Sequence, residues 1–387
     1  MKKIAIVTPT YYEEAGGGAE RYSVETAKLL SRKFDVTIFT TTARDYRTWK
    51  NEFHEGETFS NNIRILRYKV DSGRRMFFFN KYHNALMDKF PDQTEKEEEE
   101  WLIRQGPISF NLLKSIEENK EEFDRFIFFT YLYHPIVYGI RIVKEKSIVI
   151  TTLHDEKPAY FSIYRKTFTP DIYYWFSTPE EKKVFQNIFN FNPPNYSIIG
   201  MNIEMPELKI LPVAEESYVL YIGRIESGKG VRDLIDYFIE WKKYRNNNLK
   251  LVLIGSGEVI KTDSDDIIFK GYVSDDLKYS YIGKCLFFIN PSPLESFSIS
   301  TMEAWIFEKA VLVNKSCLPL KGHCERSNGG LYFSNQESFD ATMDYLMIHQ
   351  NERELMGKNG KLYTEKNYSS EIIFKKFCMV LEELSLQ

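Results

Sequence analysis

No apolar run in this 387-residue chain is long enough to span a bilayer. The longest apolar-aromatic tract, Phe126 to Ile140, is interrupted by Thr130, His134 and Pro135. The Met1-Lys-Lys start looks like the charged end of a secretory signal. Only Ile4 to Val7 follows before Thr and Pro, which suits a β-strand better. A soluble, cytoplasmic protein is expected, at most one lying at the inner face of a membrane. Cysteine is scarce: Cys285, Cys317, Cys324 and Cys378 form no C-x-x-C pair. Cys317 and Cys324 flank His323 but leave a zinc site short of ligands, so reduced thiols are expected. Positive charge is not in excess either. A net charge of −4 and a pI near 6.0 argue against sequence-independent nucleic-acid binding.

Two short stretches about seventy residues apart are the informative ones. Gly223-Arg224-Ile225-Glu226-Ser227-Gly228-Lys229-Gly230 follows the apolar run Tyr218–Ile222 and precedes a helical pattern. Such a strand-to-helix turn presents backbone N–H groups and a positive helix end, and Arg224 and Lys229 add two cations. That combination suits a diphosphate. The second stretch, Glu295-Ser-Phe-Ser-Ile-Ser-Thr-Met-Glu303, lies between strand Leu286–Ile289 and a helix starting near Ser298. It contributes two carboxylates.

The whole chain reads as two α/β halves, with 43% hydrophobic residues to fill two cores. Strands at Ile4–Val7, Val36–Phe39, Ile63–Val70, Phe126–Thr130, Ser147–Leu153 and Ser197–Ile199 alternate with helices in the first half. The Glu-rich segment 95–122 has the apolar face of two surface helices, split at Gly106-Pro107. Residues 202–217 lose all periodicity and read as a linker. The second half restarts at Tyr218–Ile222 and continues through Lys250–Ile254, Ile267–Phe269, Leu286–Ile289, Ala310–Val313 and Leu331–Phe333. Domains at 1–201 and 218–369 are expected, with a last amphipathic helix at about 370–387 packing back onto the first. The expected fold class is α/β, two doubly wound domains with ligand held in a cleft at their strand ends.

Neither familiar nucleotide fingerprint fits. The first turn has Gly16-Gly17-Gly18 where a dinucleotide site needs G-x-G-x-x-G, and the second strand ends in Thr40-Thr41-Thr42 without an acid. Gly223-x4-Gly228-Lys229 imitates a P-loop, but Gly230 stands where a hydroxyl must hold magnesium.

Taken in order, Gly223-Arg224…Lys229-Gly230, Leu251-Val-Leu-Ile-Gly255-Ser-Gly257, Gly271-Tyr272-Val273 and Pro291-Ser292…Glu295-x7-Glu303-Ala304 resemble the nucleotide-sugar half of family-4 retaining glycosyltransferases of GT-B fold. Pro9…Gly16-Gly17-Gly18-Ala19-Glu20 and Thr151-Thr152-Leu153-His154-Asp155 are similar to that family's first domain. The resemblance implies two Rossmann-like domains facing a central cleft. It implies transfer of a sugar from a UDP- or GDP-sugar to a glycan, lipid-linked or protein acceptor, as in surface polysaccharide synthesis, without a cofactor. It also implies retention of configuration by same-face attack. Arg224 and Lys229 would clasp the donor diphosphate and Glu303 the ribose hydroxyls. Glu295 would face the transferred sugar, and His154 would contact it near the reacting carbon. Backbone groups of Phe297, Ser298 and Ile299 would meet sugar and phosphates. Gly17 and Gly18, with Gly223, would permit close approach to the diphosphate, and Gly271 to Val273 would lie by the base. No magnesium-clasping site is read from the sequence, so the expected transfer is metal-independent.

Each assignment has a plainer rival. Ser300-x-x-Glu303 has the spelling of a capping box, Arg224 and Lys229 fit a solvated turn, Gly16–Gly18 a flexible loop, and His154 a core histidine. Asp155 and Glu156 read as surface or positioning groups. The family commonly has glycine at the positions of Ser296 and Ser298, so serine would narrow the donor pocket or add a hydroxyl contact. Arg74-Arg75-Met76-Phe77-Phe78-Phe79-Asn80-Lys81 mixes cations and aromatics, which fits either a membrane contact or buried rings beside solvated bases. A non-catalytic nucleotide-sugar-binding module and a nucleotide-sugar epimerase remain as alternatives.

Overall fold

A computed structural model describes residues 1–13, 17–204, 207, 209–245 and 247–384. Gly16 lies outside them. The chain divides into two compact units, Met1–Met201 with Phe374–Gln387, and Asn202–Ile373.

The first unit is built on an eight-stranded sheet. Its strands are β1 (Lys3–Val7), β2 (Asp35–Thr41), β3 (Gly56–Ser60), β4 (Ile63–Tyr68), β5 (Arg125–Phe129), β6 (Ser147–Ile150), β7 (Tyr173–Phe176) and β8 (Tyr196–Ile198). They run in the order β3-β4-β2-β1-β5-β6-β7-β8, all parallel except the β3–β4 pair. The central strands are covered on both faces and so read as unbroken apolar runs; Ile4 to Val7 are fully buried. β3 behaves differently. It is exposed along most of its length, which is why its polar Gly-Glu-Thr-Phe-Ser gives no apolar signal.

The second unit has β9 (Tyr218–Ile222), β10 (Lys250–Ile254), β11 (Ile267–Gly271), β12 (Phe288–Asn290), β13 (Val311–Asn314) and β14 (Gly330–Phe333), in the parallel order β11-β10-β9-β12-β13-β14. Its core joins Val219, Leu251 and Leu253 to Phe238 and Trp241 of the helix Val231–Lys243 and to Phe339 and Met343 of the helix Gln336–Ile348. The described residues of 202–217 belong to this unit. Ile203 N–H bonds the Tyr368 carbonyl at 2.7 Å, Leu211 N–H bonds Ser280 Oγ at 2.8 Å, and the buried Glu215 carboxylate pairs with Lys270.

The helix Ser370–Glu383 ends on the first unit. There Phe377 stacks on Trp175 with ring centroids 4.8 Å apart, and the Arg32 guanidinium lies 4.3 Å from the Phe374 ring centre. Both sheets share one strand pattern, half the strands wound outward one way and half the other. Each therefore has a topological switch point, β1/β5 in the first and β9/β12 in the second, where loops at the strand carboxyl ends diverge and leave room for a ligand.

Candidate functional site

In the second unit the two stretches singled out above are the two loops at the β9/β12 switch point. The chain leaves β9 at Gly223, makes a short 3-10 turn at Ser227–Lys229, and enters the helix Val231–Lys243 through Gly230. Gly230 has φ +68°, and a Cβ there would fall 2.4 Å from the Pro291 carbonyl oxygen. A threonine at the P-loop position is excluded on both counts. Gly255, after β10, passes equally close: its Cβ would lie 1.8 Å from the Gly223 carbonyl oxygen. The glycines thus let three adjacent loops touch backbone to backbone.

Within the turn most N–H groups are already donated, Gly223 to Ile254, Ile225 to Ser256, Lys229 to Glu226 and Gly230 to Ser227. What remains for an anion is the helix start and the side-chain cations. These two cations separate. The Arg224 guanidinium lies half-exposed, 3.3 Å from Glu226. Lys229 turns into the β12 loop, where its Nζ donates to Glu295 Oε1 at 2.7 Å and to the Leu294 carbonyl at 3.2 Å. A cation and a carboxylate that are sixty-six residues apart thus form one pair, four-fifths shielded from solvent.

The β12 loop is fixed at both ends by Asn290, which sequence reasoning overlooked because an Asn before a proline reads only as a turn signal. Its side chain accepts from Ser292 N–H at 3.1 Å and donates to Ser298 Oγ at 2.9 Å. Ser298, the residue before the helix Ile299–Ile306, has φ +74°. That left-handed backbone is the physical reason for glycine at such a position. The Ser298 hydroxyl points inward to Asn290 and Thr301. Phe297 is a core side chain, edge-on to His323 and Tyr368; only its backbone is available. Ile299 opens the helix.

Glu303 is buried on that helix. Tyr279 Oη donates to its Oε1 at 2.9 Å and Lys278 Nζ lies 3.3 Å from the same oxygen. The carboxylate faces the helix Asp275–Lys284 and sits in the second turn of its own, five residues after the cap, so the capping-box spelling is coincidental. Gly271 ends β11 with φ +66°, and Tyr272 beside it is fully presented to solvent at 79% exposure, with Val273 half-buried.

The remaining candidates belong to the first unit. Gly17 caps the helix Gly18–Ser31 in extended conformation, and a Cβ there would meet Glu20 Oε2 at 2.1 Å, while the space around Gly18 is open. The Glu20 carboxylate therefore lies against Gly17, one of the two glycines expected to permit close approach of a diphosphate. His154 follows β6, two strands from β1. Its Nδ1 lies 3.6 Å from Glu156 Oε1, which accepts from Tyr131 Oη at 2.7 Å. Burial would raise the Glu156 pKa, yet hydrogen bonds from His154 and Tyr131 outweigh it and hold the carboxylate below its usual range. His154 is thus a partly exposed imidazole with the Glu156 carboxylate beside it. Glu181 is the residue missed altogether. Fully buried, it takes Thr151 Oγ1 at 2.6 Å, Leu153 N–H at 2.8 Å and Ser177 N–H at 2.6 Å, pinning the segment that delivers His154. Burial raises its pKa despite those bonds. An acid in a helix's first turn is ordinary helix chemistry, so nothing in the sequence marked it.

Among the described residues no group of three or more His, Cys, Asp or Glu could hold a metal ion. Asp263-Ser264-Asp265 has a D-x-D spelling, but it precedes β11 and so lies at the amino end of the sheet, opposite the loops above.

The family model Glycosyl transferases group 1 matches residues 208–363. That match covers most of the second unit. A capsular polysaccharide biosynthesis glycosyltransferase of Staphylococcus aureus is 26% identical over 186 residues, 44% of this chain; the chain thus spans about half, 47%, of that relative's length. Among solved structures, the sucrose-phosphate synthase of Thermosynechococcus elongatus superposes over 100% of both chains with a TM-score of 0.72 at 14% identity. Anabaena HepE, solved in complex with UDP and glucose, superposes over 99% of this chain and 100% of its own, with a TM-score of 0.69 at 12% identity. The fold is GT-B.

Proposed function

We propose that this chain transfers a sugar, with retention and without a metal, from a nucleotide-sugar donor to a saccharide or saccharide-linked acceptor. The observation that carries the proposal is the Lys229–Glu295 pair at the β9/β12 switch point, within the residues matched by the glycosyl transferases group 1 model. A diphosphate entering this point meets Lys229 and Arg224 and the start of the helix Ile299–Ile306. It competes with Glu295 and Glu226 for those cations. Once displaced, Glu295 is left facing the sugar. Glu303, held by Tyr279 and Lys278, accepts the two ribose hydroxyls. Binding of UDP and of glucose by the Anabaena relative supports this choice of donor.

A thermal-shift panel of UDP-, GDP-, ADP- and TDP-sugars tests the donor. At a hundred times its dissociation constant the right donor stabilises by about 2.7 kcal/mol, a shift of a few degrees. That shift should be confined to one nucleotide and lost in Glu303→Ala. A panel with no shift for any nucleotide would remove the donor assignment.

The proposal includes a membrane-surface contact. Among the described residues no helix is long and apolar enough to cross a membrane. Of the three consecutive phenylalanines, only Phe79 is buried; Phe77 and Phe78 are 76% and 55% exposed at the start of the helix Met76–Lys89, beside Arg75 and Lys81. The buried-ring alternative therefore fails for two of the three. Exposed rings flanked by bases suit an anionic interface. Vesicles containing phosphatidylglycerol should co-sediment the protein several-fold more than phosphatidylcholine alone, and Phe77→Ser/Phe78→Ser should abolish the difference. Equal sedimentation in both lipids would refute the contact.

A further inference from the structure

We propose that the groove along the β3–β4 hairpin is a subsite for the anionic group of an acidic saccharide, a carboxylate or a phosphate ester, with the Arg67 guanidinium as its ligand. The ligand class rests on the glycosyl-transfer reading above; the site does not.

The groove is lined by Tyr11, Tyr12, Glu13, Phe53, Thr58 and Arg67, among others. The antiparallel register sets Thr58 opposite Ile65 and Gly56 opposite Arg67, which puts Thr58 and Arg67 on one face of the hairpin. Among the described residues, every group that Arg67 touches is neutral. Nη1 donates to Thr58 Oγ1 at 2.8 Å, Nη2 to the Tyr11 carbonyl at 3.1 Å, and the guanidinium carbon lies 4.9 Å from the Phe53 ring centre. Its buried Nε has no partner among the described residues. Of five N–H donors, two are used. Burial pulls the Arg67 pKa down, as expected of a shielded cation that no carboxylate among the described residues compensates. An oxyanion reaching the Nη side of this fork would supply the missing charge and accept from the unused Nη hydrogens.

The rest of the groove favours a sugar over a simple anion or a polyanion. The Tyr12 and Phe53 rings lie 6.1 Å apart and supply apolar faces, and Arg44 sits 5.2 Å from the Tyr12 ring centre as a second cation. Glu13, which accepts from Asn61 at 3.0 Å and from Ser60, offers a carboxylate to sugar hydroxyls. The same carboxylate repels multiply charged chains, so one isolated negative group on an otherwise neutral saccharide is the best match.

Saturation-transfer NMR on the full chain, with glucuronate, glucose 6-phosphate and glucose at equal concentration, tests this. At least threefold more transfer is expected to the two anions than to glucose, and the stronger anion identifies carboxylate or phosphate as the natural group. Arg67→Gln should remove the excess, Arg67→Lys should keep part of it, and Glu13→Gln should enlarge it. A loss caused by misfolding cannot produce that last gain. Equal transfer to all three sugars, or an excess that survives Arg67→Gln with an unchanged melting temperature, overturns the proposal. A donor-induced thermal shift on the same sample without anion-dependent transfer refutes the subsite alone. Anion-dependent transfer without any donor shift refutes the donor reading alone.

Discussion

Replacing Lys229 by alanine is expected to lower sugar transfer by about 10²–10³-fold, or about 3–4 kcal/mol of barrier. On the proposed reading, negative charge accumulates on the leaving diphosphate as the glycosidic bond breaks. Lys229 is the better shielded of the two cations at the switch point, with 18% of its side chain exposed against 50% for Arg224. A charge interaction strengthens as water is excluded, so Lys229 should matter more than Arg224. The effect should fall mainly on kcat, because the charge it meets is fully developed only in the transition state. Removing Lys229 also leaves Glu295 without its cation, but a fifth of that side chain is open to water, enough for the carboxylate to rehydrate. The melting temperature should therefore stay within about 2 °C, the consequence of losing a partly exposed ion pair worth about 1 kcal/mol or less. Glu295→Gln supplies the control. It frees the same lysine, so donor affinity should hold or improve while transfer still falls. A Lys229→Ala enzyme with kcat/KM within threefold of the parent would end the assignment of this lysine to the leaving group.

The parts legible in the sequence were those that burial writes as pattern. Tyr218–Ile222 and Lys250–Ile254 are strands with the limits read from their apolar runs, because a parallel strand covered on both faces can admit little else. The Glu-rich segment resolves into the helices Glu95–Gln105 and Phe110–Asn119, with Trp101, Leu102, Leu112 and Ile116 buried. β3 escaped because an exposed edge strand has no face to declare. β7, Tyr173–Phe176, escaped because four apolar residues inside an aromatic-rich stretch have no period to count. In the site, residue types were visible but pairings were not. Lys229 and Glu295 meet only because β9 and β12 become neighbours where the strand order reverses, a property of topology rather than of spacing. Ser298 shows the limit from the other side. The departure from glycine was visible, but the positive φ that makes it matter, and the inward turn of its hydroxyl, depend on Asn290 and Thr301.

Enlarging Gly360 to valine is expected to destabilise the second unit by about 3 kcal/mol and lower its melting temperature by about 6–12 °C. The cause lies in how the Glu303 helix is seated. Trp305, two residues beyond Glu303 and fully buried, donates its indole N–H to the Gly329 carbonyl at 2.9 Å. The helix Gln350–Tyr368 crosses directly over it: a Cβ on Gly360 would lie 2.0 Å from Trp305 Cδ1, and one on Gly357 would lie 1.9 Å from the Glu308 carbonyl oxygen. Mid-helix glycine ordinarily costs up to about 1 kcal/mol against alanine. Here it is what allows two helices to approach at backbone distance, and its partner tryptophan is fifty-five residues away. Neither valine nor alanine fits unless Trp305 moves, and moving Trp305 shifts Glu303 away from Tyr279 and Lys278. Gly360→Val should therefore weaken donor-induced thermal shift as well as stability, although Gly360 touches no proposed ligand group. A double-mutant cycle separates the causes. Trp305→Ala alone removes the ring, leaves the buried Gly329 carbonyl without its donor and should cost about 3–5 kcal/mol. Combined with Gly360→Ala it relieves the collision, so the double variant should be less destabilised than the sum of the singles by about 1 kcal/mol or more. Strict additivity, or a Gly360→Val protein that melts with its parent, would show that this crossing does not hold the Glu303 helix in place.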